Sequence, residues 1–374
     1  MFNLYSYIPA IKTTGAECKA YEKLPASVKD NILPLFELTK SRTSASNGLG
    51  DIRKNIEKIK SMMEGRPFIL DTTKEFGLEN PEINSFSEIA NGYKNWCSFL
   101  KEVVLPDLKD VVPCVQINLS SNLSFEKWKR ELQAQLNFLE NNFNYLCLRI
   151  NSEEFTSESV NFLLEDVTSL LNTPSKHIFI MDLKYLSNDS YTDKFSNTQI
   201  VIQNLSNQTN GFRNIAILGS SFPKSTPDTI SGEIELKEVK LFTAIEKQFL
   251  GDKINLIYSD YCSIHPTRYQ TGGAGFTPRI DYPLNEQISF YKDRFKVKGL
   301  KIKEISEAYQ ICAKSIVKKH LPKDALNISD VWGEEEILIA ANEKPRGNSP
   351  SYWIAVRANI HIIRQYERLG YGLI

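Results

Sequence analysis

The sequence predicts an α/β fold: a (β/α)8 TIM-like barrel with an α+β C-terminal cap inserted before the last helix. Three observations carry this. Eight short β-branched or aromatic runs recur along the first two thirds of the chain, most are separated by stretches of helical periodicity, and each ends on a polar or charged residue at a comparable place. Beyond residue 262 that rhythm stops. Barrels of this kind carry their chemistry at the C-terminal ends of the strands, so the pattern nominates a site before any motif does.

The runs are 6–12 (SYIPAIK), 32–38 (ILPLFEL), 67–72 (PFILDT), 111–118 (VVPCVQIN), 145–151 (YLCLRIN), 177–183 (HIFIMDL), 214–221 (NIAILGSS) and 254–262 (INLIYSDYC). Between them, 16–30 begins the first crossover, with Pro25 breaking it because proline lacks the amide a helix interior needs. Residues 51–63 place Ile52, Ile56 and Ile59 on one face. Ser124 is a plausible N-cap for a helix over 124–143, residues 157–171 repeat Val160, Leu163, Leu164 and Val167 at helical spacing, and 232–250 does so with Ile234, Val239, Leu241 and Ile245. The polar, small-residue stretch 41–50 reads as a loop overhanging the C-terminal face. Three segments follow: the barrel over 1–262, a cap over 263–350 containing a strand pair around 287–295 and a helix over 302–320, and a closing helix within 351–374, terminated near Gly370 and Gly372.

Composition bounds the function. Lysine plus arginine equals aspartate plus glutamate at 45 each, so no global basic field recruits nucleic acid. The six cysteines form no CxxC pair and several lie within apolar runs, the pattern of buried thiols in a reducing, cytoplasmic setting. No apolar run approaches the length of a membrane span, and no secretory leader opens the chain. HExxH, GxSxG and GxGxxG signatures are all missing.

Strand ends supply the candidate site. Glu37, Asp71, Asp182 and Asp260 come from four different strands and are the candidate catalytic groups; such a set requires a cation, a shared proton or a positive neighbour, because crowded carboxylates cannot all ionise. Lys12, Arg149 and Lys184 supply that positive charge, and a hard divalent ion is the cofactor such oxygens would hold. Gln116, Ser220, Tyr261, His265 and Arg279 complete the ligand-binding candidates. The alternative is a structural ion-pair network plugging the barrel end. His265 is the histidine best placed for acid–base work, against a turn histidine held before Pro266; His361 reads as a packing or capping residue of the last helix. The GGAG stretch at 272–275 is a loop without P-loop context, and Arg279 with Asp281 reads as an ordered salt bridge on the cap.

The opening YIPAIKTTGAECKAYEKLP with ILPLFEL after it, the late SDYCSIHP followed by PRIDYP, and the closing YWIAVRANIHIIRQ resemble the Beta protein family of phages and bacteria. That resemblance implies a barrel-like fold and, for some members, a setting among prophage or anti-phage defence genes. It gives weight to Lys12, Glu17, Glu37, Asp260, Tyr261 and Arg279, while Cys262 stands where the family often has a small residue. The leading functional expectation is a hydrolytic or phosphoryl-directed enzyme acting on a small phosphorylated or nucleotide-like ligand. Its rivals are a non-catalytic sensor or partner-binding subunit of a defence system, with a partner from the same operon or a phage protein, and a glycosidase built on paired carboxylates.

Overall fold

The computed structural model describes residues 1–43, 48–119, 123–153, 156–225, 227–267, 276–293 and 302–371. Its chain groups into two compact units: Met1–Thr14, Leu33–Gly219 and Leu241–Ser259 form one, and Gly15–Ile32, Ser220–Lys240 and Asp260–Ile374 the other.

The eight expected runs form one parallel sheet. In chain order the strands are β1 (Tyr7–Lys12), β2 (Leu35–Leu38), β3 (Phe68–Thr72), β4 (Val111–Pro113), β5 (Cys147–Asn151), β6 (Ile178–Tyr185), β7 (Asn214–Ser220), β8 (Ser231–Glu235), β9 (Asn255–Asp260), β10 (Arg279–Pro283) and β11 (Gln287–Lys292). The barrel sheet runs β4-β3-β2-β1-β9-β7-β6-β5, and an isolated parallel bridge between Cys114 and Cys147 brings its two ends together. Both faces of such a sheet are covered, so its strands read as continuous apolar runs rather than alternating ones. β1, β2 and β7 are buried at every residue. Stacked Tyr7 and Tyr258 and edge-on Phe36 and Phe68 fill the first unit's core, with centroids 5.6 and 5.8 Å apart.

The helices follow local rules. Pro25 separates Gly15–Glu22 from Ala26–Lys29. Ser124 and Thr156 cap Phe125–Asn142 and Ser157–Leu170 by accepting from the amides of Lys127 and Ser159. The expected helix over 232–250 starts late: Ser231–Glu235 is a strand, and the helix is Lys237–Gln248. The reason is a short polar–apolar alternation, in which Ile234 is buried between exposed Glu233 and Glu235 and the segment pairs antiparallel with β11.

In the second unit β10, β11 and β8 form an antiparallel sheet, Ile302–His320 packs on β10 and β11, and Trp332–Asn342 packs on that helix. Pro350–Tyr366, capped by Ser349, packs on Gly15–Glu22, on β10 and on Trp332–Asn342. It is buried on nearly every side, polar residues included. Gly333 permits one of these approaches, since a Cβ there would stand 2.5 Å from Ile360 Cγ1. The GGAG stretch, residues 44–47 of the polar loop and 294–295 of the expected strand pair lie outside the described residues. All six cysteines are free and buried, and burial pushes the Cys97 and Cys312 thiols up to about 12. Among the described residues no helix is long and apolar enough to cross a membrane.

Candidate functional site

Register builds the first cluster. Lys12 on β1 is paired with Glu37 on β2, and Glu37 with Asp71 on β3, so three strand ends present charged side chains in one row. Arg149 on β5 reaches that row from across the first unit. Its Nη1 donates to Glu37 Oε2 at 3.1 Å and to Asp71 Oδ2 at 2.9 Å, while Nη2 and Nε donate to Asp182 Oδ2 at 2.8 and 3.1 Å. One guanidinium therefore serves three carboxylates from three other strands, using the planar donor fork that suits it to shared acceptors.

The surroundings complete the charge balance. Lys184 Nζ lies 3.1 Å from Asp182 Oδ2, and a left-handed φ of +53° at Lys184 lets its amide donate to Asp182 Oδ1 at 3.0 Å. Lys12 Nζ lies 2.6 Å from Glu75, a loop residue that sequence reasoning did not single out. Gln116 donates to Asp71 Oδ1 at 3.5 Å and is held through its backbone by Gln135. Burial alone would raise the Glu37 pKa, but Arg149, Lys12, Lys184 and a hydrogen bond from Thr73 together outweigh it and hold the carboxyl below its ordinary value. Glu37 is thus ionised and spoken for. Among the described residues no three His, Cys, Asp or Glu side chains are grouped to hold a metal ion; the carboxylate oxygens of Glu37, Asp71 and Asp182 turn to the guanidinium instead.

The remaining candidates belong to the second unit. Asp260 Oδ2 accepts from His361 Nε2 at 2.6 Å, with both side chains fully buried, and Asp260 Oδ1 accepts from the Cys262 amide. Glu238 accepts from the Ser221 amide and hydroxyl at 2.8 and 2.6 Å; burial drives its pKa up to about 7, Ser221 works against that, and Asp260 adds to it. Glu238 Oε1 and His361 Nδ1 are buried without a hydrogen-bond partner among the described residues. Ser220 Oγ accepts from the Phe222 amide, Tyr261 is buried, and His265 Nδ1 engages the Thr267 backbone. Arg279 pairs with Asp281 at 2.9 Å, as expected for the cap.

His361 and Glu238 were not selected from sequence. His361 is not alone, because Arg357 and Arg364 share its face of Pro350–Tyr366 at helical spacing. Arg357 donates to Asp281 Oδ2 at 2.6 Å and lies over the Phe222 ring at 3.9 Å, and burial brings its pKa down to about 10. Arg364 donates to the Tyr282 hydroxyl and to the Asp324 carbonyl. The three late stretches SDYC, PRIDYP and YWIAVRANIHIIRQ thereby meet along one buried polar stripe: Asp260 with His361, Asp281 with Arg357, Tyr282 with Arg364.

Eight parallel strands in one nearly closed sheet, several with charged residues at their C-terminal ends, define a protein of the (β/α)8 barrel class. The chain belongs to the Beta protein family, which its residues 7–367 match. It is 30% identical over 396 aligned residues to "Protein beta" of Enterobacteria phage P4, taking in 99% of this chain and 96% of that protein. Among solved structures, similar chains include a GH18 chitinase from Pseudoalteromonas aurantia (TM-score 0.40, 12% identity, 69% of this chain and 94% of that one). Another comes from the tryptophan synthase α2β2 complex of Pyrococcus furiosus (TM-score 0.37, 8% identity, 68% and 87%).

Proposed function

We propose that this chain acts by recognition: a cytoplasmic, non-catalytic sensor or partner-binding subunit in a phage-defence setting, whose strand-end cluster orders the barrel rather than turning over a substrate. The observation that carries this reading is the state of Arg149. A phosphoryl or oxyanion site needs cations whose donors point at the ligand, and a hydrolytic carboxyl pair needs one member held protonated near neutral pH. Here the guanidinium donates to three carboxylates, and Glu37 is pushed toward ionisation. Four carboxylates (Glu37, Asp71, Asp182, Glu75) face three cations (Lys12, Arg149, Lys184), a balance that repels a phosphate.

The test replaces the shared guanidinium and its three acceptors with uncharged side chains, Arg149→Gln with Glu37→Gln, Asp71→Asn and Asp182→Asn, assayed for phage restriction in cells and for folding by circular dichroism. A folded protein restricting phage within about threefold of wild type is expected, well under the loss of a hundredfold or more that follows removal of acid–base groups. A folded but inactive protein would return the cluster to catalysis.

A second reading, a hydrolytic or phosphoryl-directed enzyme, is favoured by one observation: Asp260 orients His361 at 2.6 Å beside Glu238, whose pKa of about 7 is matched to proton transfer at neutral pH. Asp260→Asn and His361→Gln separate the readings. If either folded variant loses restriction by orders of magnitude while the fourfold Arg149 cluster variant stays active, the chemistry lies with that pair.

A further inference from the structure

One cleft in the first unit lies at the opposite ends of the barrel strands from Arg149. It measures about 480 Å³, within the range of small-molecule sites. Its walls come from the starts of β5, β6, β7 and β9, neighbours in the barrel sheet: Tyr145 ahead of β5, Lys176 ahead of β6, Arg213 and Asn214 at β7, Lys253 and Asn255 at β9. Three of these are cations, and none of the lining residues is acidic. That composition is unusual for a neutral chain, whose positive and negative side chains are equal in number.

The two lysines are also available. No ion pair engages Lys176 or Lys253 among the described residues, and both are exposed at the rim. Arg213 spends Nη2 on the Gln208 and Thr209 carbonyls, which fixes the guanidinium, while its buried Nη1 has no hydrogen-bond partner there. Asn214 is fixed by the Ser175 and His177 carbonyls and by Asn255. Lys176 Nζ stands 5.5 Å from the Tyr145 ring centroid, which sets a cation beside a flat aromatic surface. A guanidinium fixed by two carbonyls, two exposed ammonium groups, an aromatic ring and no carboxylate make a site for a small polyanion.

We infer that this cleft binds a phosphate-bearing small molecule of about mononucleotide size. Barrel enzymes do their chemistry at the other end of the strands, so a ligand here is held and sensed rather than converted.

Titrating the purified full chain with ADP and with inorganic pyrophosphate by calorimetry tests this directly. Both should bind, more weakly as salt rises, because exposed cations are screened. ADP binding more tightly than pyrophosphate would assign the nucleoside to the Tyr145 face; equal affinities would assign the site to phosphate alone. Lys176→Gln with Lys253→Gln should fold with an unchanged Tm and weaken binding by about tenfold, the combined worth of two exposed charge contacts. Arg213→Gln should weaken it as well. No binding at millimolar ligand, or affinity unchanged by the double lysine substitution, overturns the inference. So does a single-stranded oligonucleotide that binds more tightly than ADP and loses affinity with the same lysines, since the cleft would then be a nucleic-acid contact.

Discussion

Replacing Arg149 with methionine keeps most of the side-chain volume and removes the cation that Glu37, Asp71 and Asp182 share. Those carboxylates are 5%, 13% and 1% exposed, so water cannot replace the guanidinium without rearrangement. Breaking a buried ion pair from one side costs about 3–5 kcal/mol, because the surviving charge is left uncompensated. For a unit of this size each kcal/mol moves Tm by about 2–4 °C, which places the variant on the order of 10 °C below wild type at pH 7. The pH dependence supplies the sharper check. Glu37 has a folded pKa below its unfolded value, so its contribution to wild-type stability is present above the unfolded value and is lost as pH falls through the folded one. Arg149→Met removes a principal cause of that depression, and protonating Glu37 then relieves repulsion instead of breaking a pair. Thermal melts from pH 7 down to about 4.5, near the ordinary carboxylate range, should show the gap between the two proteins narrowing. A variant within 2 °C of wild type at pH 7, or a gap that widens on acidification, would refute the shared-cation account.

Other expectations follow from the second unit. Glu238 has a folded pKa of about 7 against an ordinary 4.5, so the folded state holds a proton the unfolded state lacks and stability declines as pH rises between those values. Glu238→Gln should therefore match wild type near pH 5 and exceed it by about 3 kcal/mol at pH 8; denaturant curves that stay parallel across that range would place the Glu238 pKa in the ordinary range. Asp260→Asn and His361→Gln should each destabilise, with a double-mutant coupling above about 1 kcal/mol, and additive losses would dissolve the pair. Gly333→Ala gains up to about 1 kcal/mol of helix propensity, but its Cβ would stand 2.5 Å from Ile360 Cγ1 and 2.8 Å from the Val356 carbonyl, so a net loss of about 2 kcal/mol is expected in urea unfolding. A stabilised Gly333→Ala protein would mean those helices do not approach so closely.

What could be read from sequence divides along a physical line. Strands buried on both faces announce themselves as unbroken apolar runs, and a charged residue ending such a run stands out, which is why Glu37, Asp71, Arg149 and Asp182 were legible one by one. Arg149 was legible as a positive neighbour of these carboxylates, but not as the one guanidinium all three share, because Arg149 and Glu37 are 112 residues apart and only barrel closure joins them. Glu75 escaped notice as a loop acid, and Glu238 as an ordinary first-turn acid of its helix. β8 was lost to helical periodicity because five residues of alternation are too few to outweigh the helix that follows.

The late polar stripe did leave a trace. Arg357, His361 and Arg364 recur at i, i+4 and i+7 in a segment whose other positions are largely apolar, and a helix bound for solvent on one face would not place isoleucine at 354, 360, 362 and 363 around them. Read strictly, that pattern calls for a helix buried on all sides with three cationic or titratable groups inside, each needing an acceptor. The available acceptors are the acidic and tyrosyl residues of SDYC and PRIDYP, and the structure pairs them so: Asp260, Asp281 and Tyr282. The helix expected to close the fold by apolar packing therefore also carries, at its centre, the histidine on which the enzyme reading depends, so Asp260 and His361 are the positions where the recognition reading is most exposed to refutation.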